Sequence, residues 1–570
     1  MKTVNPYIMV VLAVALAACN QLIESPQETR SDEKATGQLD AQLSRQMPSP
    51  VAESSADAFP GIRKTLSAPG IAATMHSAAS VDRERYAELV QNGVQAVANN
   101  PVSTFSIDVD TGSYANVRRM LQEGRMPPQN AVRVEELINY FRYTDPAPHT
   151  SDVPFRVSTA MAPTPWNGDT QLLRIGLKAW EMPQAELPAS NLVFLIDVSG
   201  SMNSADKLPL LKRSIKLLTR RLNRDDRVSL VVYAGAAGVV LEPTPGDRQA
   251  TIEAALDELS AGGSTHGSAG IALAYAKARE SFISGGINRV ILATDGDFNV
   301  GTVDQEALLD LVERERKAGV ALTTLGFGRG NFNESLMEQL ADHGNGNYAY
   351  IDTLLEAHKV LVEQAGGTLL TVAGDVKVQV EFNPARVAEY RLVGYENRAL
   401  RREDFSNDAV DAGELGAGHS VVALYEIALV DSGGRRLEPL RYAKNRGPVR
   451  DARTDELAFV RLRYKKPGES SSRELKQAVT DAVRVDDLAR ASDDMRFAAA
   501  VAAFGQRLAG SAYLGDYGYD DMLALARRAR GTDDQGYRSD FLRLVQLAQS
   551  LDQRPVGTAR GGEDREDGNG

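Results

Sequence analysis

Phe194-Leu195-Ile196-Asp197-Val198-Ser199-Gly200-Ser201-Met202 is an apolar run that breaks abruptly into Asp-x-Ser-x-Ser. Near-continuous apolar runs cover 192–197, 227–233, 289–294 and 321–327, the pattern of strands covered on both faces. Between and after them, 208–222, 248–259, 268–282, 305–317 and 334–342 carry the spacing of helices. Strand and helix in alternation imply an α/β module at 191–367, built as a doubly wound, Rossmann-like parallel sheet. Asp-x-Ser-x-Ser by itself is also a common turn, in which Asp and Ser accept backbone N–H groups. Its chemistry therefore depends on what else reaches the same rim.

Outward from the module, strand signals lie on both sides. Residues 154–178 alternate and end in Leu172-Leu173-Arg174-Ile175-Gly176-Leu177, and similar runs return at 376–382, 420–430 and 458–464. They imply one β-rich domain split in sequence, at 151–190 and 368–465, with the module inserted between its halves. Before it, an N-terminal segment at 83–150 opens with Tyr86, Leu89, Val90 and Val94 at helical spacing. A strand-like run at 104–109 and helices at 113–123 and 132–141 follow. Behind the β-rich part, 474–509 and 519–551 carry helical patterns around a Gly/Tyr-rich break, an α-helical C-terminal domain at 466–551. The tail at 552–570 is polar, Gly-rich and expected to be disordered.

The chain of 570 residues has room for two to four cores at roughly 150 residues each. With 43% hydrophobic and 25% charged residues its composition is that of a water-soluble globular protein. A formal charge of −12 argues against nucleic acid and anionic membranes as general partners, since both draw on clustered Lys and Arg. The single cysteine excludes an internal disulfide framework and a Cys-rich zinc site. Its place is informative. Met1-Lys2 precedes an apolar run at 7–18 that ends in Leu16-Ala17-Ala18-Cys19, too short for a bilayer span of roughly 20 residues but right for a signal-peptide core. Small residues before Cys19 resemble the bacterial lipobox, which implies cleavage after residue 18, acylation of Cys19 and a tether of several acyl chains. Residues 19–82, rich in Ser, Gln, Glu, Ala and Pro, then form a flexible stalk. Asn20 is not the Asp of an inner-membrane retention signal, so a periplasm-facing place on the outer membrane is favoured over the inner one.

The Asp197-x-Ser199-x-Ser201 stretch resembles the metal-ion-dependent adhesion site of von Willebrand factor type A (VWA) domains. In that family a Thr on a loop and an Asp after a later strand complete the site. Gly263-Ser264-Thr265-His266-Gly267 supplies Thr265, and Val290-Ile291-Leu292-Ala293-Thr294-Asp295-Gly296 supplies Asp295. The resemblance implies three hydroxyls as direct ligands, with Asp197 and Asp295 acting through waters. Parallel strands deliver their carboxyl ends to one edge, so residues far apart in sequence can meet there. An all-oxygen shell suits a hard cation, most of all Mg²⁺, with Mn²⁺ or Ca²⁺ as substitutes. Neutral ligands leave the ion charge to spare, and an acidic residue of a protein partner can fill its open position. The resemblance extends to 103–114, 132–141 and 293–301, and to about 390–547, where the chain looks like bacterial lipoproteins of the YfbK type. That family implies an architecture and an envelope location rather than a reaction, so a binding protein and not an enzyme is expected, with no small-molecule substrate.

Two alternatives bear on the function. One is a regulatory or assembly subunit of a chaperone-like envelope complex. The other is an aspartic-type protease, since Asp110-Thr111-Gly112 and Asp431-Ser432-Gly433 each follow apolar residues and two carboxylates sharing a proton make a catalytic dyad. The blander reading has Asp110, Thr111 or Ser113 capping a helix and Asp431-Ser432-Gly433-Gly434 turning a hairpin. Scattered histidines, with no His-Glu-x-x-His pairing, argue against a zinc hydrolase. Neither a Gly-x-Ser-x-Gly elbow nor a Gly-x-x-x-x-Gly-Lys-Ser/Thr loop is present. His266 is expected to be exposed beside Thr265, and Trp166 to pack in a core or loop.

Overall fold

The computed structural model describes residues 84–183, 186–264, 267–296, 305–330, 332–438 and 455–553. The leader, Cys19, the stalk and the tail beyond 553 lie outside the described residues. Residues 84–94 are not helical, despite their spacing. Arg85 donates its N–H to the Phe332 carbonyl at 2.9 Å, and Val90 stands 83% exposed. A short amphipathic stretch is a marginal helix on its own, and backbone bonds to a neighbour win. Among the described residues no helix is long and apolar enough to cross a membrane.

β1 (Gln95–Ala96) and β2 (Val102–Ser106) lead into α1 (Gly112–Gln122) and α2 (Val134–Asn139). β3 (Phe155–Thr164) and β4 (Asn167–Ala179) then pair as a long antiparallel hairpin. The expected capping of α1 does not occur: Thr111 holds the N-cap position without a side-chain bond. The Ser113 N–H donates to the Glu136 carboxylate at 2.8 Å, and Asp110 accepts the Tyr348 N–H at 2.9 Å. The first turn of α1 is buried, so the Ser113 donor is met by α2 rather than by a local cap.

The central module contains β5 (Ser190–Asp197), α3 (Leu208–Thr219), β6 (Arg227–Tyr233), β7 (Ala237–Pro245), α4 (Gln249–Glu258) and α5 (Gly267–Glu280). It continues through β8 (Ile287–Thr294), α6 (Gln305–Lys317), β9 (Ala321–Phe327), α7 (Glu334–His343), β10 (Tyr348–Ile351), α8 (Leu354–His358) and α9 (Ala365–Leu369). Its strands lie in the order β10-β9-β8-β5-β6-β7, parallel except for β7. β5 is buried at every position. Leu192, Phe194 and Ile196 join the cluster that includes Leu211 and Ile215 of α3, and Val193 and Leu195 join the one that includes Ile271 and Ala274 of α5. This double cover is what the continuous apolar run demanded.

After the module come β11 (Thr371–Phe382), β12 (Val387–Val393), β13 (Gly413–Gly416), β14 (Ser420–Leu429), β15 (Glu456–Lys465) and β16 (Arg473–Thr480). One sheet runs β1-β12-β14-β4-β3; the other runs β13-β11-β15-β16, with β2 also on β11. β14 pairs with β4 from Ser420 opposite Lys178 to Ile427 opposite Gln171, so strands from either side of the module share one sheet. Ile175, Leu177, Val378, Val380 and Tyr425 fill the core between the sheets. Residues 473–480 form a strand on β15, not the helix their spacing suggests. Among the described residues, 432–438 after the turn at Asp431 do not pair back on β14 as a hairpin would. The chain beyond it donates the Arg436 N–H to Glu389 at 2.8 Å, and β15, the next described strand, joins the other sheet.

α10 (Asp493–Leu508), α11 (Tyr519–Arg528) and α12 (Tyr537–Asp552) close over α2 and the outer face of β14. The alanine-rich stretch from Phe497 to Ala503 packs inside this cluster, against Leu137 and Phe541 among others. Trp166 also belongs to it, and its Nε1 donates to Glu426 at 3.2 Å.

A π-helix, Lys359–Glu363, joins α8 to α9. The Lys359 Nζ lies 2.9 Å from the Tyr140 ring centroid, and burial pushes its ammonium down to about 7. Between pH about 7 and 10 the folded chain then binds fewer protons here than the unfolded chain, so this residue makes stability rise with pH. Lys359→Met is expected to gain most over wild type at and below pH about 7, by up to about 4 kcal/mol, and to lose that advantage toward pH 10. Urea midpoints across the window check this; a pH-independent difference contradicts it.

Candidate metal centre

After β5 the chain builds β6 and β7 on one side, then returns to place β8 on the other. The crevice at the carboxyl ends of β5 and β8 is therefore the switch point of the sheet, where α/β folds offer a binding site. Asp197 ends β5 and Asp295 follows β8; both side chains are fully buried. Asp197 Oδ1 accepts the Ser199 N–H at 2.8 Å, while Oδ2 accepts Tyr233 OH at 3.2 Å and Thr294 Oγ1 at 3.1 Å. The carboxylate is thus fixed from three sides. The turn after it is fixed too, by Gly262 N–H to Val198 O at 2.7 Å and Gly200 N–H to Gly263 O at 3.1 Å.

On that turn the hydroxyls of Ser199 and Ser201 hydrogen-bond to each other, their oxygens 3.0 Å apart. Two neighbouring ligands of an octahedral ion with bonds of about 2.1 Å are separated by about 3.0 Å, so the pair has the spacing a Mg²⁺-sized ion requires. Burial holds the Asp197 carboxyl above its usual range, and the charge of Asp295 pushes in the same direction. A cation at this rim relieves that penalty. Among the described residues no three His, Cys, Asp or Glu side chains gather as a metal cluster; the side-chain oxygens on this turn are two hydroxyls and the Asp197 carboxylate. The donor set fits a hard cation and does not fit a soft one.

Of the five residues expected to form the site, the structure brings together Asp197, Ser199 and Ser201 on one turn and places Asp295 at the end of the adjacent strand. Thr265 and its neighbour His266 lie outside the described residues. The loop leading to them is held to the site through Gly262 and Gly263. Three partners escaped the sequence reading: Tyr233 and Thr294, which bind Asp197, and Lys207, whose Nζ lies 2.8 Å from Asp295 Oδ2. The strand ends at 233 and 294 were a usable signal for the first two; nothing local marked Lys207. Beside the rim a groove of about 470 Å³ is lined by Met202, Asn203, Lys212, Arg213, Lys216 and Asp257, among others.

The protease alternative finds no support in the geometry. Asp110 is buried, faces Arg398 at 3.5 Å, and has its carboxyl pushed well up by burial and then by Asp108. Asp431 is exposed on its turn. A dyad requires both carboxyls in one site.

A von Willebrand factor type A domain profile matches residues 191–364, and one described as von Willebrand factor matches 80–174. A third, described as Uncharacterized protein YfbK, C-terminal, matches 367–551. Over 473 residues the chain is 47% identical to Uncharacterized protein YfbK of Escherichia coli (strain K12), which covers 82% of this chain and 81% of that one. The chain belongs to the YfbK family of VWA proteins. Uncharacterized protein sll0103 of Synechocystis sp. (strain ATCC 27184 / PCC 6803 / Kazusa) is 32% identical over 170 residues, 29% of this chain and 39% of its own. A solved von Willebrand factor type A structure from Catenulispora acidiphila covers 71% of this chain and 90% of that chain, at 16% identity and a TM-score of 0.36. Membership of the YfbK family and its VWA module points to a role in protein interaction.

Proposed function

We propose that this chain is a lipid-tethered envelope protein that captures a protein partner through a divalent cation, Mg²⁺ in the first place. Ser199, Ser201 and Thr265 would hold the ion by their hydroxyls, and Asp197 and Asp295 would supply the negative charge behind them. The bound ion would offer Lewis acidity at an open position, where an acidic residue of the partner adds its carboxylate. The observation that carries this reading is the 3.0 Å pair of serine hydroxyls beside a buried, immobilised Asp197. The basic groove next to the rim supports a partner with acidic residues, since Lys212, Arg213 and Lys216 outnumber Asp257. The tether is supported by the lipobox-like residues that end at Cys19.

Crosslinking of the full chain in intact envelopes tests the reading. Capture of the partner is expected to fall at least about tenfold with Asp197→Ala, with Asp197→Asn and on chelation, a loss of about 1.4 kcal/mol or more. Unchanged capture by both variants contradicts the cation bridge.

A further inference from the structure

We infer that Lys207 is a built-in counter-cation of the site: its ammonium neutralises Asp295, weakens the resting hold on a divalent ion, and couples ion binding to the arrival of an anionic partner. This rests on the cation reading above and concerns the regulation of that same site.

Three observations carry it. The Lys207 Nζ and Asp295 Oδ2 are 2.8 Å apart, and the side chains are 8% and 0% exposed, so the pair is buried at the rim itself. The lysine stem does not reach it by chance. It lies flat on Gly328, just past β9, where an added Cβ would fall 2.2 Å from Lys207 Cε; with φ of +69° this position favours glycine twice over. The backbone of Lys207 is pinned as well, its N–H donating to Ser204 O at 3.0 Å and its carbonyl accepting from Leu211 N at 2.8 Å. The ammonium is therefore delivered along a fixed track to one carboxylate.

The electrostatic consequence follows from counting charges. Asp197 and Asp295 are like charges in a desolvated crevice, and each disfavours the other. Lys207 offsets one of them. A divalent ion added to this set leaves one net positive charge at the rim, so the ammonium repels the ion while the combination attracts an anion. A carboxylate arriving at the rim restores neutrality. Ion and carboxylate then strengthen each other's binding, and the coupling is reciprocal.

Calorimetric titration of the full chain with Mn²⁺, with and without acetate as the carboxylate probe, tests this in wild type, Lys207→Met and Lys207→Arg. Methionine keeps the stem and removes the charge; Lys207→Gln repeats the charge loss if the methionine variant does not fold. Lys207→Met is expected to bind Mn²⁺ about tenfold more tightly than wild type and to respond less to acetate. Its melting temperature should drop further on adding chelator, because Asp295 then has no ammonium beside it. Lys207→Arg should retain the weaker, acetate-responsive binding of wild type. Equal Mn²⁺ affinity in wild type and Lys207→Met overturns the role of Lys207 and leaves the cation site standing. Absence of Mn²⁺ binding in the millimolar range by both overturns the cation site and this inference with it.

Discussion

Arg118→Ala is expected to destabilise the chain by about 3–5 kcal/mol, because it removes one partner from a buried ion network and strands the others. Arg118 is 3% exposed. Its Nε donates to Asp352 at 2.7 Å, its Nη2 to Glu356 at 2.7 Å and its Nη1 to Tyr140 OH at 2.9 Å; Tyr140 OH in turn donates to Glu356 at 2.7 Å. Burial raises the Asp352 carboxyl, and Arg118 pulls it back down. Without the guanidinium two buried carboxylates face each other, with Lys359 beside Glu356. The network joins α1 to the end of the module at α8, so the N-terminal segment clamps the module rather than merely preceding it. Arg118→Lys keeps the charge but not the fork, and should fall between wild type and Ala. A loss below about 1 kcal/mol in urea unfolding would show the network to be dispensable.

Replacing Ser199 and Ser201 together by Ala is expected to lower affinity for Mg²⁺ or Mn²⁺ at least about a hundredfold, since two of the three proposed hydroxyl ligands go at once. Stability should change little. Ser201 is exposed, and of the two bonds Ser199 gives Asp197 alanine keeps the backbone N–H and loses only the hydroxyl. Loss of ion binding without loss of fold separates this variant from Arg118→Ala. Calorimetry and a thermal melt on the same sample decide between ligand loss and unfolding.

The four inner strands β5, β6, β8 and β9 were legible because a parallel strand buried on both faces is a continuous apolar run. The edge strands were not. β7 carries Pro243 and Pro245 and is largely half-exposed, and β10 has only four residues, too few for a period to show. β16 misleads for a different reason. Leu475, Ala478 and Val479 satisfy a helical stripe, while Leu475, Gln477 and Val479 satisfy a strand face, and the free edge of β15 decides between them. At the site, Asp197, Ser199 and Ser201 stood out as an apolar strand running into Asp-x-Ser-x-Ser, and Asp295 was named through the resemblance to VWA domains. Lys207 could not, since its place depends on a glycine more than a hundred residues away in sequence. Asp110 shows the same limit: its contacts to Tyr348 and Arg398 are tertiary, so a local capping rule had no means of finding them.

In the proposed function the turn at Asp197–Ser201, with Asp295 and the loop bearing Thr265, would hold a divalent ion. Anomalous diffraction at the manganese edge from crystals of the full chain soaked in Mn²⁺ tests it most directly. A peak within ligand reach of both Ser199 and Ser201 hydroxyls, lost in Asp197→Ala, is the predicted result. A difference map with no manganese at that rim, or with the ion held elsewhere and indifferent to Asp197, contradicts the account.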